Sequence, residues 1–177
     1  MKTRWIALIA IAFVLGTVVG ARAAKKEGID SSLYAGKNPK EAAAALLQAA
    51  KGLADREGSW ERIYVGRAHY LSGNKAEGQA IFDAVTSSKK VEGGDWIRIG
   101  RVYWEAGEWD KAKPAFDKAL QMEPNDAPWL AEIGAYHNIK GDRAKAEEMF
   151  AKSFSLEPNE IWNTAKAGAS YVGVIPD

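Results

Sequence analysis

Four sets of residues recur along this chain at one spacing, 34 positions. They are Val65, Ile99 and Ile133; Gly66, Gly100 and Gly134; Gly73, Gly107 and Gly141; and Phe82, Phe116 and Phe150. Pro124 and Pro158 keep the same interval, and so does Gly168 after Gly134. A fixed period of this length marks a repeat architecture, in which one supersecondary unit buries its open flank against the next copy. The chain therefore divides into three units, 59–92, 93–126 and 127–160. A fourth begins at Ile161 and stops after one helix, within 161–177.

The middle unit says what each copy is made of. Trp96, Ile99, Gly100 and Tyr103 fall at i, i+3, i+4 and i+7, one face of a helix. Ala112, Ala115, Phe116, Ala119 and Leu120 repeat that pattern in a second helix. Small residues at 100 and 112 let the pair come close, with Phe116 filling the space beside them. Gly73, Gly107 and Gly141 stand where each first helix must stop, and glycine tolerates the left-handed conformation such a stop uses. Asn74 and Asp142 follow as expected N-caps, and Asn74 with Glu77 has the spacing of a capping box. Pro114 lies within the first turns of its helix and predicts a kink or a late start.

Before the units, Asn38-Pro39 opens an alanine-rich helix over 39–56, with Ala42, Ala45, Leu46, Ala49 and Leu53 as its apolar face. It is expected to cover the open flank of the first unit. At the other end 161–177 is expected to cap the third, with Gly168 and Tyr171 continuing the packing columns. Eight helices result. Residues 24–38 are polar and without period, and read as a linker.

The repeats resemble the tetratricopeptide family. Its pattern of Trp, Leu, Gly and Tyr in the first helix and Ala, Phe, Ala and Pro in the second is matched by Trp96, Ile99, Gly100, Tyr103, Ala112, Phe116, Ala119 and Pro124. Unit three matches with Leu130, Ile133, Gly134, His137, Ala146, Phe150, Ser153 and Pro158. Unit one is the loosest, with Arg62, Val65, Gly66, His69, Gly78, Phe82 and Val85, and Lys90 stands where the others have proline. Its junction SSKKVEGGD is therefore expected to stack irregularly. The resemblance implies an all-α, right-handed superhelical solenoid of antiparallel helix pairs.

Composition limits function. There is no cysteine, which excludes disulfides, thiol catalysis and cysteine zinc sites. The chain holds 24 basic and 23 acidic residues. Three of the basic ones and no acid lie in residues 1–23, so the rest is slightly acidic and no nucleic-acid partner is expected. No phosphate-cradling loop, zinc spacing or nucleophile elbow is present. His69 and His137 share the column of Tyr103 and read as packing residues. No enzyme activity, cofactor or metal is expected.

The leader bears on location. Met1–Trp5 is basic, Trp5–Ala21 is uncharged, and Ala21-Arg22-Ala23 fits the small-x-small rule for cleavage before Ala24. Residues 1–23 are either a signal peptide or a retained N-terminal anchor, the only membrane association expected. Both place the repeats outside the cytoplasm; a reversed topology, with the repeats in the cytosol, is the alternative.

The family resemblance also implies a site. The inner surface of such solenoids is lined by set positions of each first helix, which here hold Trp60, Ile63, Arg67, Tyr70 and Leu71, then Ile97, Arg101, Trp104 and Glu105, then Ala131, Ala135 and Asn138. Trp60, Tyr70 and Trp104 would supply apolar area, and Arg67 and Arg101 paired donors, for a short amphipathic segment with an acidic residue. The family's clamp for acidic tails needs Lys and Asn where Ile63 and Arg67 stand, so that version is absent. The expected function is an adaptor or scaffold of the cell envelope that holds a peptide or helix of a protein partner. Alternatives are an assembly chaperone for secreted or cytochrome-type proteins, and a self-assembling structural solenoid. The partner and the oligomeric state are left open.

Overall fold

A computed structural model describes residues 28–176. The expected leader lies outside these residues. Among the described residues no helix is long and apolar enough to cross a membrane.

Among the described residues eight α-helices follow one another: α1 (Pro39–Ala54), α2 (Ser59–Leu71), α3 (Lys75–Thr86), α4 (Gly93–Glu105), α5 (Trp109–Met122), α6 (Ala127–Ile139), α7 (Arg143–Leu156) and α8 (Ile161–Ser170). No strand occurs among the described residues. The pairs α2/α3, α4/α5 and α6/α7 are the three units, α1 lies on α2, and α8 lies on α6. This is the all-helical solenoid the period predicts. A short 3₁₀ turn, Ser31–Leu33, capped by the Asp30 carboxylate, precedes α1 in the stretch that has no sequence pattern.

The glycine and phenylalanine columns meet inside each unit. A Cβ built on Gly66, Gly100 or Gly134 would stand 2.6, 2.5 or 2.7 Å from the ring of Phe82, Phe116 or Phe150. Each ring lies over bare backbone, so a side chain there would overpack the crossing. Unit one departs from the Ala112 and Ala146 column with Gly78 for a physical reason. A Cβ there would lie 2.7 Å from the Gly66 carbonyl oxygen, so α2 and α3 cross more closely than alanine allows. Gly73, Gly107 and Gly141 have φ of +98°, +76° and +90°, the left-handed stops expected of them. Pro124 and Pro158 follow the C-caps of α5 and α7, where a helix cannot continue.

Several local expectations are corrected. Asn74 occupies the N-cap of α3 but its side chain makes no capping hydrogen bond, and the Glu77 side chain forms an ion pair with Lys51 of α1 instead of closing a capping box. Asp142 and Asn38 do cap their helices, accepting from the backbone N–H of Lys145 and Glu41. α5 starts at Trp109 and runs through Pro114 with no late start. Leu53 is exposed on α1, and the helix instead turns Ala50 and Ala54 onto Val65 and Ile81. Gly168 has no atom near a would-be Cβ, and Tyr171 is half exposed beside Arg143 and Phe150 of α7. Among the described residues no helix presses on Gly168, so the glycine column is packed only as far as Gly134.

The junction before α4 is also tighter than expected. The buried Asp95 carboxylate accepts from the Glu92 N–H at 3.0 Å, and Trp129 packs over Gly93 and Gly94. α2 and α4 come into close backbone contact, whereas α4 and α6 are held apart by large side chains. Tyr136 fills that gap, stacked on Phe116 and tilted on Trp104, with both centroid distances 4.9 Å. The irregular step is thus between units two and three.

Candidate functional site

A groove of about 420 Å³ opens between α2 and α4. It brings together Trp60, Ile63, Arg67 and Arg101 of the expected surface, with Glu105, and adds Tyr64, Arg98 and Val102. Ile63 is buried and forms part of the floor. Trp60 is 55% exposed, and the Arg98 guanidinium lies 3.4 Å from the centre of its ring. Tyr64, one turn further along α2, is 70% exposed. Such a stacked cation and two open aromatic rings form a surface that gains by being covered.

The three arginines differ in what they can offer. Arg67 is held by Glu105 in a two-point pair at 2.7 and 3.0 Å. That hydrogen bonding, against the cost of burial, holds its pKa above the usual arginine value. Arg101 is paired at 2.6 Å through both Nε and Nη2 with Glu132, whose side chain is 1% exposed and which Lys166 of α8 also reaches at 3.3 Å. Burial works against the Arg101 charge, but the Glu132 hydrogen bonds and charge outweigh it. Both arginines therefore spend their Nε and Nη2 donors on a carboxylate of the protein itself while still lining the groove. Arg98 forms no carboxylate ion pair among the described residues; it donates to the Gly94 carbonyl at 2.7 Å. Burial and then the Arg101 charge push its pKa down, and the Asp95 and Glu132 charges offset this only in part.

Other expected groove residues lie elsewhere. Tyr70 is buried; its hydroxyl donates to Glu108 at 2.5 Å and accepts from Lys111 at 2.8 Å. Ile97, Ala131 and Ala135 are buried. Trp104 turns toward the core, edge-on to Trp109 and against Tyr136, with Lys140 over its outer face. Asn138 donates to the Ser170 hydroxyl at 2.9 Å, so it fastens α8. The third-unit part of the surface is small because α8 sits on it.

Tyr64 and Arg98 escaped the sequence reading because both lie one position beyond the family's inner-surface columns, after Ile63 and Ile97. The signal that could find Arg98 is the like-charged pair Arg98 and Arg101 at i, i+3, which leaves one member short of a counter-ion. His69 and His137 are buried; His137 Nδ1 is 3.1 Å from the Asp142 carboxylate, and its ring meets the Trp109 edge. Among the described residues no group of three or more histidines and carboxylates is placed to hold a metal.

The model of the family described as tetratricopeptide repeat matches residues 94–126, the middle unit. The middle unit is a tetratricopeptide repeat. Among solved structures, the crystal structure of MamA superposes with a TM-score of 0.54 at 17% identity, covering 76% of this chain and 80% of that one. A likeness at that identity is one of fold. No curated protein matches the chain. Tetratricopeptide repeats bind protein partners, so this repeat protein is in general terms an interaction scaffold.

Proposed function

We propose that this repeat protein holds a peptide or helix of a partner in the α2/α4 groove. The observation that carries the reading is Arg98, a guanidinium with no carboxylate ion pair among the described residues, stacked on the exposed Trp60 ring beside open Tyr64. Covering that stack with an apolar side chain and supplying one carboxylate to Arg98 would remove exposed aromatic area and complete the partial charge compensation that Asp95 and Glu132 give. A partner segment with an acidic residue next to an aliphatic or aromatic one has that chemistry. We further propose that the scaffold works in the cell envelope, on the basic start, uncharged run and Ala-x-Ala of the leader.

The test is a titration of a partner crosslinked through a photoreactive residue at position 64. Trp60→Ala should weaken the complex by about 2 kcal/mol, roughly thirtyfold, with the melting temperature unchanged. Arg98→Ala should weaken it and flatten its salt dependence. Glu148→Ala, on the exposed face of α7, should leave it alone. Equal affinity for all three variants would remove the site from this groove.

A further inference from the structure

Tyr64 belongs to two troughs. On one side of it is the α2/α4 groove, and on the other a trough of about 270 Å³ opens between α1 and α2, with Leu53, Ala54, Tyr64 and Val65 as its apolar lining. Leu53 is 49% exposed and Tyr64 70%, so both walls stand open. The trough exists because α1 is rich in alanine: Ala54 is its one buried residue, and the short side chains along it leave α2 partly uncovered.

The charges on the rim of this trough are of one sign. Glu57 and Glu61 are both exposed, and among the described residues neither forms an ion pair with a lysine, arginine or histidine. The Glu61 carboxylate lies back toward Gly58, where the positive end of its own helix offsets part of its charge. Across Tyr64 the sign reverses. Arg98 lines the α2/α4 groove with its charge offset only in part, while Arg67 and Arg101 are tied to carboxylates. An acidic rim, an exposed aromatic ridge and a surplus cation therefore follow one another across α2.

We propose that the two troughs take one partner segment lying across α2, and that this segment carries a basic and an acidic residue on either side of an apolar one. The base meets Glu57 and Glu61, the apolar side chain covers Tyr64 between Leu53 and Trp60, and the acid meets Arg98. This rests on the reading of the α2/α4 groove as peptide-binding, and adds a second anchoring point and the charge order of the partner. The two troughs flank one helix. Packed helices lie about 8–10 Å apart and an extended chain advances roughly 3.3 Å per residue, so the two charges belong about three residues apart. A segment with acidic residues alone is repelled by the α1/α2 rim, and one with basic residues alone by Arg98.

The experiment titrates the full chain with the capped peptide Ser-Lys-Ala-Leu-Asp-Ser, its reverse Ser-Asp-Leu-Ala-Lys-Ser, and the same two with glutamine for lysine, followed by backbone amide shifts. One of the lysine peptides should bind about threefold more tightly than its glutamine counterpart, the gain from an exposed charge pair. That gain should vanish in about 0.5 M sodium chloride. It should also vanish in the Glu57→Gln, Glu61→Gln double variant, which should bind the glutamine peptides as the parent does. A lysine that adds nothing, or a gain that survives the double variant, would overturn the proposal, as would no binding of any peptide at about millimolar concentration. Sedimentation that shows self-association of the free protein, abolished by Leu53→Ser, would give the trough to a second copy and overturn it too. The glutamine peptides test the underlying reading by themselves, since their affinity should fall in Trp60→Ala and in Arg98→Ala. If it falls there while lysine adds nothing, the α2/α4 groove stands and this extension of it fails; if it is indifferent to both variants, the groove fails.

Discussion

Gly100 and Phe116 are in contact so close that a methyl group on the glycine would stand 2.5 Å from the ring, while Gly168, two periods along the same column, faces open space. The same substitution should therefore have opposite signs at the two sites. Gly100→Ala forces the Phe116 ring to shift against a buried cluster and should cost about 1–3 kcal/mol. Gly168→Ala adds no clash and gains helix propensity, which should stabilise by roughly 0.5–1 kcal/mol. Thermal melts of the two variants check this; a Gly100→Ala protein as stable as the parent would contradict the packing described.

Trp104 and Trp60 should separate in the same manner. The family column that contains Trp104 implies an exposed anchor whose loss spares stability. Its contacts with Trp109, Tyr136 and the core imply the reverse. Trp104→Ala should destabilise by about 2–3 kcal/mol, below the range for a fully buried ring. Trp60→Ala, more than half exposed, should leave the unfolding free energy from denaturant titration within about 0.5 kcal/mol of the parent.

What was readable in the sequence follows from what is local. Gly66, Gly100 and Gly134 repeat because each needs the same close approach, and one chain is enough to see a period. The left-handed stops at Gly73, Gly107 and Gly141 were readable for the same reason. The ion pairs were not, because Arg67 with Glu105 and Arg101 with Glu132 join residues of different units whose register depends on the stacking. The fate of Trp104 depended on Tyr136, a bulky residue outside the repeat columns. Column positions therefore named a surface, and long side chains between units decided which part of it stays open.

Glu132 is the buried centre of a network that ties α4 to α6 and α8. Glu132→Gln removes the charge that compensates Arg101 and Lys166 while keeping the volume. Breaking one side of such a pair leaves a cation with poor solvation, a loss of about 3 kcal/mol. The added prediction is directional: α8 should fray first, seen as faster amide exchange across 161–170 than across 112–119.

The leader has its own outcome. Mass spectrometry of protein from native cells should find an N-terminus at Ala24, or an intact chain confined to the membrane fraction. An intact chain in the soluble fraction would remove the envelope from the proposed function.

Glu108 sets the last prediction, on pH. Its carboxylate sits at the α4/α5 turn and accepts from Lys75, the Tyr70 hydroxyl and Lys111. Those hydrogen bonds, in that order, lower its pKa from 4.5 to about 2. A carboxyl whose pKa is depressed by folding binds its proton more readily in the unfolded chain. Its contribution to stability is therefore complete above about 4.5, declines as the pH falls, and is gone below about 2. The measurement is the difference in melting temperature between the parent and Glu108→Gln as a function of pH. Other paired carboxylates, Glu77 with Lys51 among them, are common to both proteins and cancel in the difference. The parent should be the more stable at neutral pH, and the gap should narrow from about pH 4.5 and close near pH 2. A gap that stays constant across that window would mean the Glu108 cluster is equally formed in the unfolded chain, and the link it makes between the turns of units one and two would contribute nothing to folding.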